Sequence, residues 1–341
     1  MSSERDITAW VYGCTDVGVV RRNNEDAFVI ADLTTQFAAS SIPPAGAEVP
    51  EPDPTARGLE GAMRKCLVGE QGLLLAVSDG MGGAEAGEIA SYLVVESLRE
   101  DLTTNQDRST GNLVRHAVEH ANKVVFDAAG RVPRRNGMGA TLTAALVRGD
   151  RAYVAGVGDS RCYVIRGRRI RQVTRDQSLV ESLVELGHIT PEEAEVSPHK
   201  NIILQALGTK REVAVALTRI QLTRGDMLLL CSDGLTGRVG AEELLEMALA
   251  GPTIDEACQR MVALAKERGG DDNITVILAH LAGPGLDAPA ETVSVTGTLH
   301  KIHGFNHAAG IGYDDEDDEP TARAPKTAAT TAPLGDKPDG E

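Results

Sequence analysis

Leu73-Leu74-Leu75-Ala76-Val77-Ser78-Asp79-Gly80 is an apolar run that ends on an aspartate followed by glycine. Its length and its boundaries predict a short, well-buried strand. The unit recurs at Met227-Leu228-Leu229-Leu230-Cys231-Ser232-Asp233-Gly234. A third strand-like stretch, residues 153–158, stops at Asp159, while Gly269-Gly270-Asp271-Asp272-Asn273 precedes the strand predicted over 274–278. One Asp-Gly after a strand reads as a turn, because glycine takes positive φ at low cost. Several at the strand ends of one sheet layer could meet at one edge. Crowded carboxylates there push one another's pKa up unless a cation sits among them. Ligand sets made only of oxygen suit the hard cations Mg2+, Mn2+ and Ca2+.

Outward from these runs the chain alternates strand and helix patterns. Strands are expected over 73–77, 152–157, 162–165, 213–217, 227–230 and 274–278. Arg148-Gly149-Asp150-Arg151 and Arg166-Gly167-Arg168-Arg169 have the composition of hairpin turns. Residues 88–102 and 112–128 carry apolar side chains at helical spacing. Thr190-Pro191-Glu192-Glu193 and Thr253-Ile254-Asp255-Glu256 read as capping boxes, the first with proline at the opening helical position. Strands in hairpins and helices in pairs favour an α+β fold of stacked antiparallel sheets with helices outside, over a doubly wound parallel sheet.

Bulk composition narrows the function. The chain has 341 residues, 42% apolar but only 3% aromatic, so its core is built from Val, Leu, Ile and Ala. A formal net charge of −16 argues against a nucleic-acid surface, which needs clustered Lys and Arg. It suits phosphorylated substrates only if metal ions reverse the local sign. No apolar run reaches the ~18 to 20 residues that span a bilayer, and Met1-Ser2-Ser3-Glu4-Arg5-Asp6 has no signal-peptide character. Cys14, Cys66, Cys162, Cys231 and Cys258 are scattered without a C-x-x-C pair, as expected of buried thiols in a reducing cytoplasm. A cytoplasmic location is therefore expected, with a monomer as the default.

Two segments stand apart. Residues 34–57 carry Pro43, Pro44, Pro50, Pro52 and Pro54 and read as a surface insertion. Residues 283–341 are rich in Ala, Thr, Pro, Gly and acid, with an acidic run over 314–319, and read as a disordered tail.

Arg21-Arg22-Asn23-Asn24-Glu25-Asp26 packs two guanidinium groups, two amides and two acids ahead of a strand-like stretch at 28–31. By composition alone it is a solvated loop. Functionally, a planar guanidinium grips phosphate oxygens, and adjacent acids hold metal-bound water. Other patterns carry less. His116-Ala117-Val118-Glu119-His120 matches a zinc-protease pattern, but the helix's apolar face at Leu113, Ala117, Ala121 and Val125 puts both histidines at its margin, with no third ligand suggested. His300, His303 and His307 share a short stretch of the tail. The glycines at 80–83 lack the Lys and Ser/Thr of a phosphate loop.

The Arg21–Asp26 segment, Ser78-Asp79-Gly80-Met81-Gly82-Gly83, Gly87-Glu88-Ile89-Ala90-Ser91, Gly137-Met138-Gly139-Ala140-Thr141-Leu142, Val157-Gly158-Asp159-Ser160-Arg161, Cys231-Ser232-Asp233-Gly234-Leu235 and Asp271-Asp272-Asn273-Ile274-Thr275 follow one another as in the PPM family. The chain thus resembles the metal-dependent serine/threonine phosphatases of the protein phosphatase 2C type, above all the bacterial branch, over residues 8–282. The resemblance implies a two-layer antiparallel β-sandwich flanked by helices on both sides. It implies two, or three, Mn2+ or Mg2+ ions at one sandwich edge. Asp79 would bridge two ions, Gly80 lend its carbonyl, and Asp233 and Asp272 complete the first site. Glu25 and Asp26 would support the second ion and its waters, Asp159 a third ion, and Arg21 would clamp phosphate. Residues 174–208 match the variable flap. The implied partners are phosphorylated proteins, with a Ser/Thr kinase as the enzyme opposed. Animal members carry histidine where this chain has Met81, so the proton donor to the leaving group is not assigned by the match. A phosphoprotein-binding chain without turnover is the competing reading; intact Asp79, Gly80, Asp233 and Asp272 favour the enzyme.

Overall fold

The computed structural model describes residues 6–40, 61–106, 108–289, 293 and 295–299. Its centre is β5 (Leu73–Met81), and the alternation of side chains along that strand explains the unbroken apolar run. Leu74 and Ala76 pack on one face against helices, while Leu73, Leu75 and Val77 pack on the other against a second sheet. A strand buried on both faces has no polar side to alternate with.

β5 lies between β2 (Asp26–Asp32) and β7 (Leu142–Arg148); β3 (Phe37–Ser40) borders β2. β8 (Arg151–Val157), β11 (Ala216–Gln221) and β14 (Val295–Leu299) continue the sheet beyond β7, and β6 (Gly139–Ala140) pairs with the end of β5. The second sheet runs β10 (Arg169–Gln172), β9 (Arg161–Arg166), β12 (Met227–Cys231), β13 (Ile274–Ala282), β1 (Thr8–Asp16) and β4 (Gly61–Leu67). All pairings within both sheets are antiparallel. The two predicted hairpins are present: Arg148 pairs with Arg151, and Arg166 with Arg169.

The helices cover the outer faces. α1 (Ala84–Thr104) and α2 (Thr110–Arg131) bury Ile89, Val94, Leu98, Leu113, Val118 and Val125 on the β5 sheet. α6 (Ala241–Ala250) and α7 (Ile254–Glu267) bury Leu244, Met261 and Ala265 on the β13 sheet. The expected α+β sandwich flanked by helices is the fold observed. All five cysteines are buried and free.

The structure corrects several local expectations. The strand predicted over 213–217 begins at Ala216, because the Gln205 side chain captures the Ala214 backbone: Ala214 N donates to Gln205 Oε1 (2.9 Å) and Gln205 Nε2 to Ala214 O (2.8 Å). Within the stretch 34–57, residues 37–40 form β3 and extend the sheet; 41–57 lie outside the described residues. The tail reading does not hold for residues 283–289 and 295–299. Leu286 is buried against the inter-sheet core, and β14 adds an edge strand to β11. Residues 300–341, with their three histidines and acidic run, lie outside the described residues. Thr190 and Glu193 exchange the two bonds of a capping box, whereas the Thr253 side chain makes no capping bond. At the margin of α2, both histidines meet a group from the preceding helix, α1: Asp101 Oδ2 lies 3.1 Å from His116 Nδ1 and Oδ1 3.5 Å from His120 Nδ1.

Candidate active site

The β2–β5 register sets Asp26 opposite Asp79. Thr141 fixes the next approach. Its N–H donates to Asp79 O (2.8 Å), its Oγ1 accepts from Asp79 N (3.0 Å), and that hydroxyl lies 2.8 Å from Ser160 Oγ, next to Asp159. Asp233 opens α5 (Asp233–Thr236) directly after β12, and Ser232 N donates to Thr275 O (3.1 Å), which brings Asp233 beside Asp272. Gly234 permits that approach: a Cβ there would collide with the Asn273 carbonyl and stand 3.4 Å from Asp272 Cβ. Gly80 is equally constrained. Its N–H donates to Glu25 O (3.0 Å), and a Cβ would collide with the Gly87 carbonyl of α1.

The charged loop before β2 is clamped by one side chain. Asn273 Nδ2 donates to Val17 O (3.0 Å) and Asn23 O (2.9 Å), and its Oδ1 accepts from Glu25 N (2.8 Å). Glu25 thereby packs on Gly87, and Arg21 Nη2 donates to Asp272 Oδ2 (2.8 Å). Arg21, Glu25, Asp26, Asp79, Gly80, Asp159, Asp233 and Asp272, all singled out in the sequence, stand at the same edge of the sandwich. Asn273, Thr141, Ser232 and Thr275 lie within the same motifs, but nothing in the sequence assigned them a role. Their work is hydrogen bonding across the sheets, and only the register reveals it.

Electrostatically the edge is short of positive charge. Burial, followed by the charges of Asp26, Asp233, Asp272 and Asp159, holds the Asp79 carboxyl well above the usual range. Burial lifts Asp26 to about 7 against two hydroxyl bonds, from Thr275 Oγ1 (2.6 Å) and Ser232 Oγ (2.7 Å), to its Oδ2. Burial with Asp233 nearby lifts Asp159 to about 7, and burial with Asp272 raises Asp233. Burial also raises Glu25. Burial works against the charge of Arg21, but Asp272 more than restores it.

Asp26 Oδ1 and Asp233 Oδ1 are buried without a hydrogen-bond partner. Orphaned carboxylate oxygens in an all-oxygen cluster fit a hard divalent cation. Among the described residues no three His, Cys, Asp or Glu side chains form a group that could hold an ion unaided. The flap expected over 174–208 carries α3 (Leu179–Glu185) and α4 (Pro191–Glu195). Its root is tied to the turn bearing Asp159: Gln177 N donates to Gly158 O (2.8 Å), and Gln177 Oε1 accepts from Gly158 N (3.0 Å).

A family model described as protein phosphatase 2C matches residues 62–279. The chain belongs to this family. The serine/threonine protein phosphatase PstP of Mycobacterium tuberculosis is 39% identical over 259 residues, which are 74% of this chain and 49% of that protein. The chain thus spans about half the length of that relative. The serine/threonine phosphatase stp of Listeria monocytogenes is 38% identical over 223 residues, 63% of this chain and 88% of that protein. A crystal structure of the catalytic domain of PstP in complex with two manganese ions superposes with a TM-score of 0.64 at 34% identity, over 81% of this chain and all of that one. No described helix is long and apolar enough to cross a membrane.

Proposed function

We propose that this chain of the protein phosphatase 2C family hydrolyses phosphoserine and phosphothreonine in proteins, with Mn2+ or Mg2+ at the carboxylate edge, and that it opposes a Ser/Thr kinase. The observation that carries the reading is the gathering of Asp26, Asp79, Asp159, Asp233 and Asp272 around orphaned carboxylate oxygens, with Arg21 at the rim. Names of relatives across two bacterial genera support the reaction class.

Asp79, Gly80, Asp233 and Asp272 would hold one ion, Asp79 with Glu25 and Asp26 a second, and Asp159 a third. When bound, divalent ions supply an acidified water and neutralise phosphate charge. The chain's own groups do the rest. The Arg21 side chain is half exposed and carries its planar fork to the edge, where it can take up phosphate oxygens by loosening its bond to Asp272. Oδ1 of Asp26, its Oδ2 being occupied by two hydroxyls, is the free acceptor that orients a water's O–H. Met81 holds no transferable proton, so the leaving alkoxide takes its proton from water rather than from that position.

Release of phosphate from a phosphothreonine peptide, compared between Mn2+ and EDTA and between wild type and Asp233→Asn, tests the reading. Turnover that needs Mn2+ and collapses in the variant is expected. A folded protein that binds Mn2+ without turnover would leave a phosphoprotein-binding role instead.

A further inference from the structure

The surface changes sign beside the carboxylate edge. α2 ends in Arg131, and the chain then turns through Pro133–Arg135 before β6. From the other side, the flap rejoins the sheet at Leu207, whose backbone exchanges hydrogen bonds with Ala140 (2.8 and 3.0 Å), and runs on into Lys210 and Arg211. Asn122 of α2 fastens this second segment. Its Nδ2 donates to Lys210 O (3.1 Å) and Arg211 O (3.0 Å), and its Oδ1 accepts from Gly208 N (2.8 Å).

The two basic segments meet at a lip of the site. A Cβ on Gly139 would stand 2.7 Å from Thr209 Cγ2 and 3.6 Å from Met81 Cγ, so Thr209 and Met81 both flank Gly139. Met81 is two residues beyond Asp79, and Met138 N donates to Arg135 O (3.0 Å), which ties the α2 turn to the same point. Arg131, Arg134, Lys210 and Arg211 are all exposed. Arg134 pairs with the exposed Glu85 at 3.0 Å; Arg131, Lys210 and Arg211 form no ion pair among the described residues. The remaining acids on these segments are Asp127, one turn before Arg131, and Glu212. Basic residues on two separate elements whose backbones are tied to one lip, in a chain of net charge −16, favour an anionic ligand at that place.

We infer that this lip binds acidic residues flanking the phosphorylated side chain, so that the protein selects phosphopeptides rich in Asp or Glu around the phosphoresidue. The inference rests on the phosphatase reading and assigns its substrate class. Exposed ion pairs are individually weak, so the effect comes from several together and falls on binding rather than on chemistry.

The test uses two phosphothreonine peptides, one flanked by Glu and one with each Glu replaced by Gln, with Mn2+ and the full chain. The acidic peptide is expected to show a KM about five- to tenfold lower at equal kcat, with the advantage shrinking as salt is raised. Lys210→Glu with Arg211→Glu should erase the preference while leaving turnover of the Gln peptide unchanged. Equal KM for both peptides in the wild type, or a preference that survives the double variant, overturns the inference while the Gln peptide still reports hydrolysis. Failure to turn over either peptide overturns the phosphatase reading, and the inference with it.

Discussion

Asp26 and Asp79 are direct cross-strand partners at the open end of β2 and β5. Like charges set opposite one another in an antiparallel pair destabilise a sheet. Neither has a cationic neighbour in the register, and burial is the largest cause of the upward shift of both. The fold thus keeps a local conflict where its neighbours on β5, Leu73 to Val77, are packed without compromise. A conflict confined to one edge of a well-packed sandwich is the mark of a functional site.

The metal-free protein should lose stability as pH rises. An aspartate with a pKa of about 7 when folded, against about 3.9 in an unfolded chain, binds its proton more tightly in the native state. Asp26 and Asp159 are such groups. Their ionisation opposes folding, so their destabilising effect grows from about pH 4 to about pH 7 and is complete above it. A divalent cation reverses the effect by favouring the ionised carboxylates. Thermal midpoints of EDTA-treated protein should therefore fall between about pH 5 and pH 7.5, and Mn2+ should raise the midpoint more at the higher pH. A gain from Mn2+ that is larger at pH 5 would contradict this account.

Ser232 and Thr275 should matter through Asp26. Both hydroxyls bond to its Oδ2, and Ser232 Oγ also accepts from Thr275 N (3.0 Å). Groups that orient a metal-supporting carboxylate typically contribute ~10- to 100-fold in metal affinity or activity. Ser232→Ala and Thr275→Val should each weaken Mn2+ affinity within that range, and their double variant should cost less than the product of the two, because they serve one oxygen. Isothermal titration with Mn2+ measures this directly; unchanged affinity in both single variants would remove their positioning role.

Arg21→Ala should lower kcat/KM by ~10²-fold, the order seen when one preorganised donor to a developing oxyanion is removed. Arg21→Lys keeps the charge but loses the planar fork, so it should recover only part of the loss. Full activity in Arg21→Lys would show that charge alone suffices; full activity in Arg21→Ala would take Arg21 out of the site.

How much of this was legible in the sequence depended on the range of the interaction. The Asp-Gly units at Asp79 and Asp233 are local: an apolar run and the residues that stop it sit within one window, so both strand ends were readable. The hairpins at Arg148–Arg151 and Arg166–Arg169 were equally local. β11 was misplaced because a single side chain, Gln205, takes over the Ala214 backbone from nine residues away, and no periodicity records that. β14 was missed although residues 293–299 alternate with period two, because the strand is short and lies in a stretch whose small, polar and acidic composition reads as a tail. The Asn273 clamp joins residues some 250 positions apart, so its partners at Val17, Asn23 and Glu25 existed only once the sheets were assembled.

The opposite end of the sandwich offers a stability test separate from the chemistry. Arg166, at the end of β9 remote from Arg161, donates through Nε to Asp226 Oδ1 (2.8 Å) and through Nη2 to Asp226 Oδ2 (2.7 Å), with both side chains almost fully buried. Nη2 also donates to Gln221 O (2.8 Å), and Thr223 supplies its N–H and hydroxyl to the same carboxylate (2.8 and 3.1 Å). Removing one partner of such a pair takes the counter-ion from a buried charge, at about 3–5 kcal/mol. Asp226→Ala should therefore lower stability by that order, read from urea unfolding, whereas the variant that remains folded should keep wild-type Mn2+ affinity. Replacing both partners, Arg166→Met with Asp226→Leu, removes the orphaned charge and should regain most of the loss. If the double variant were no more stable than Asp226→Ala, the cost would lie in the lost bonds from Thr223 to the carboxylate rather than in the guanidinium's loss of its counter-ion.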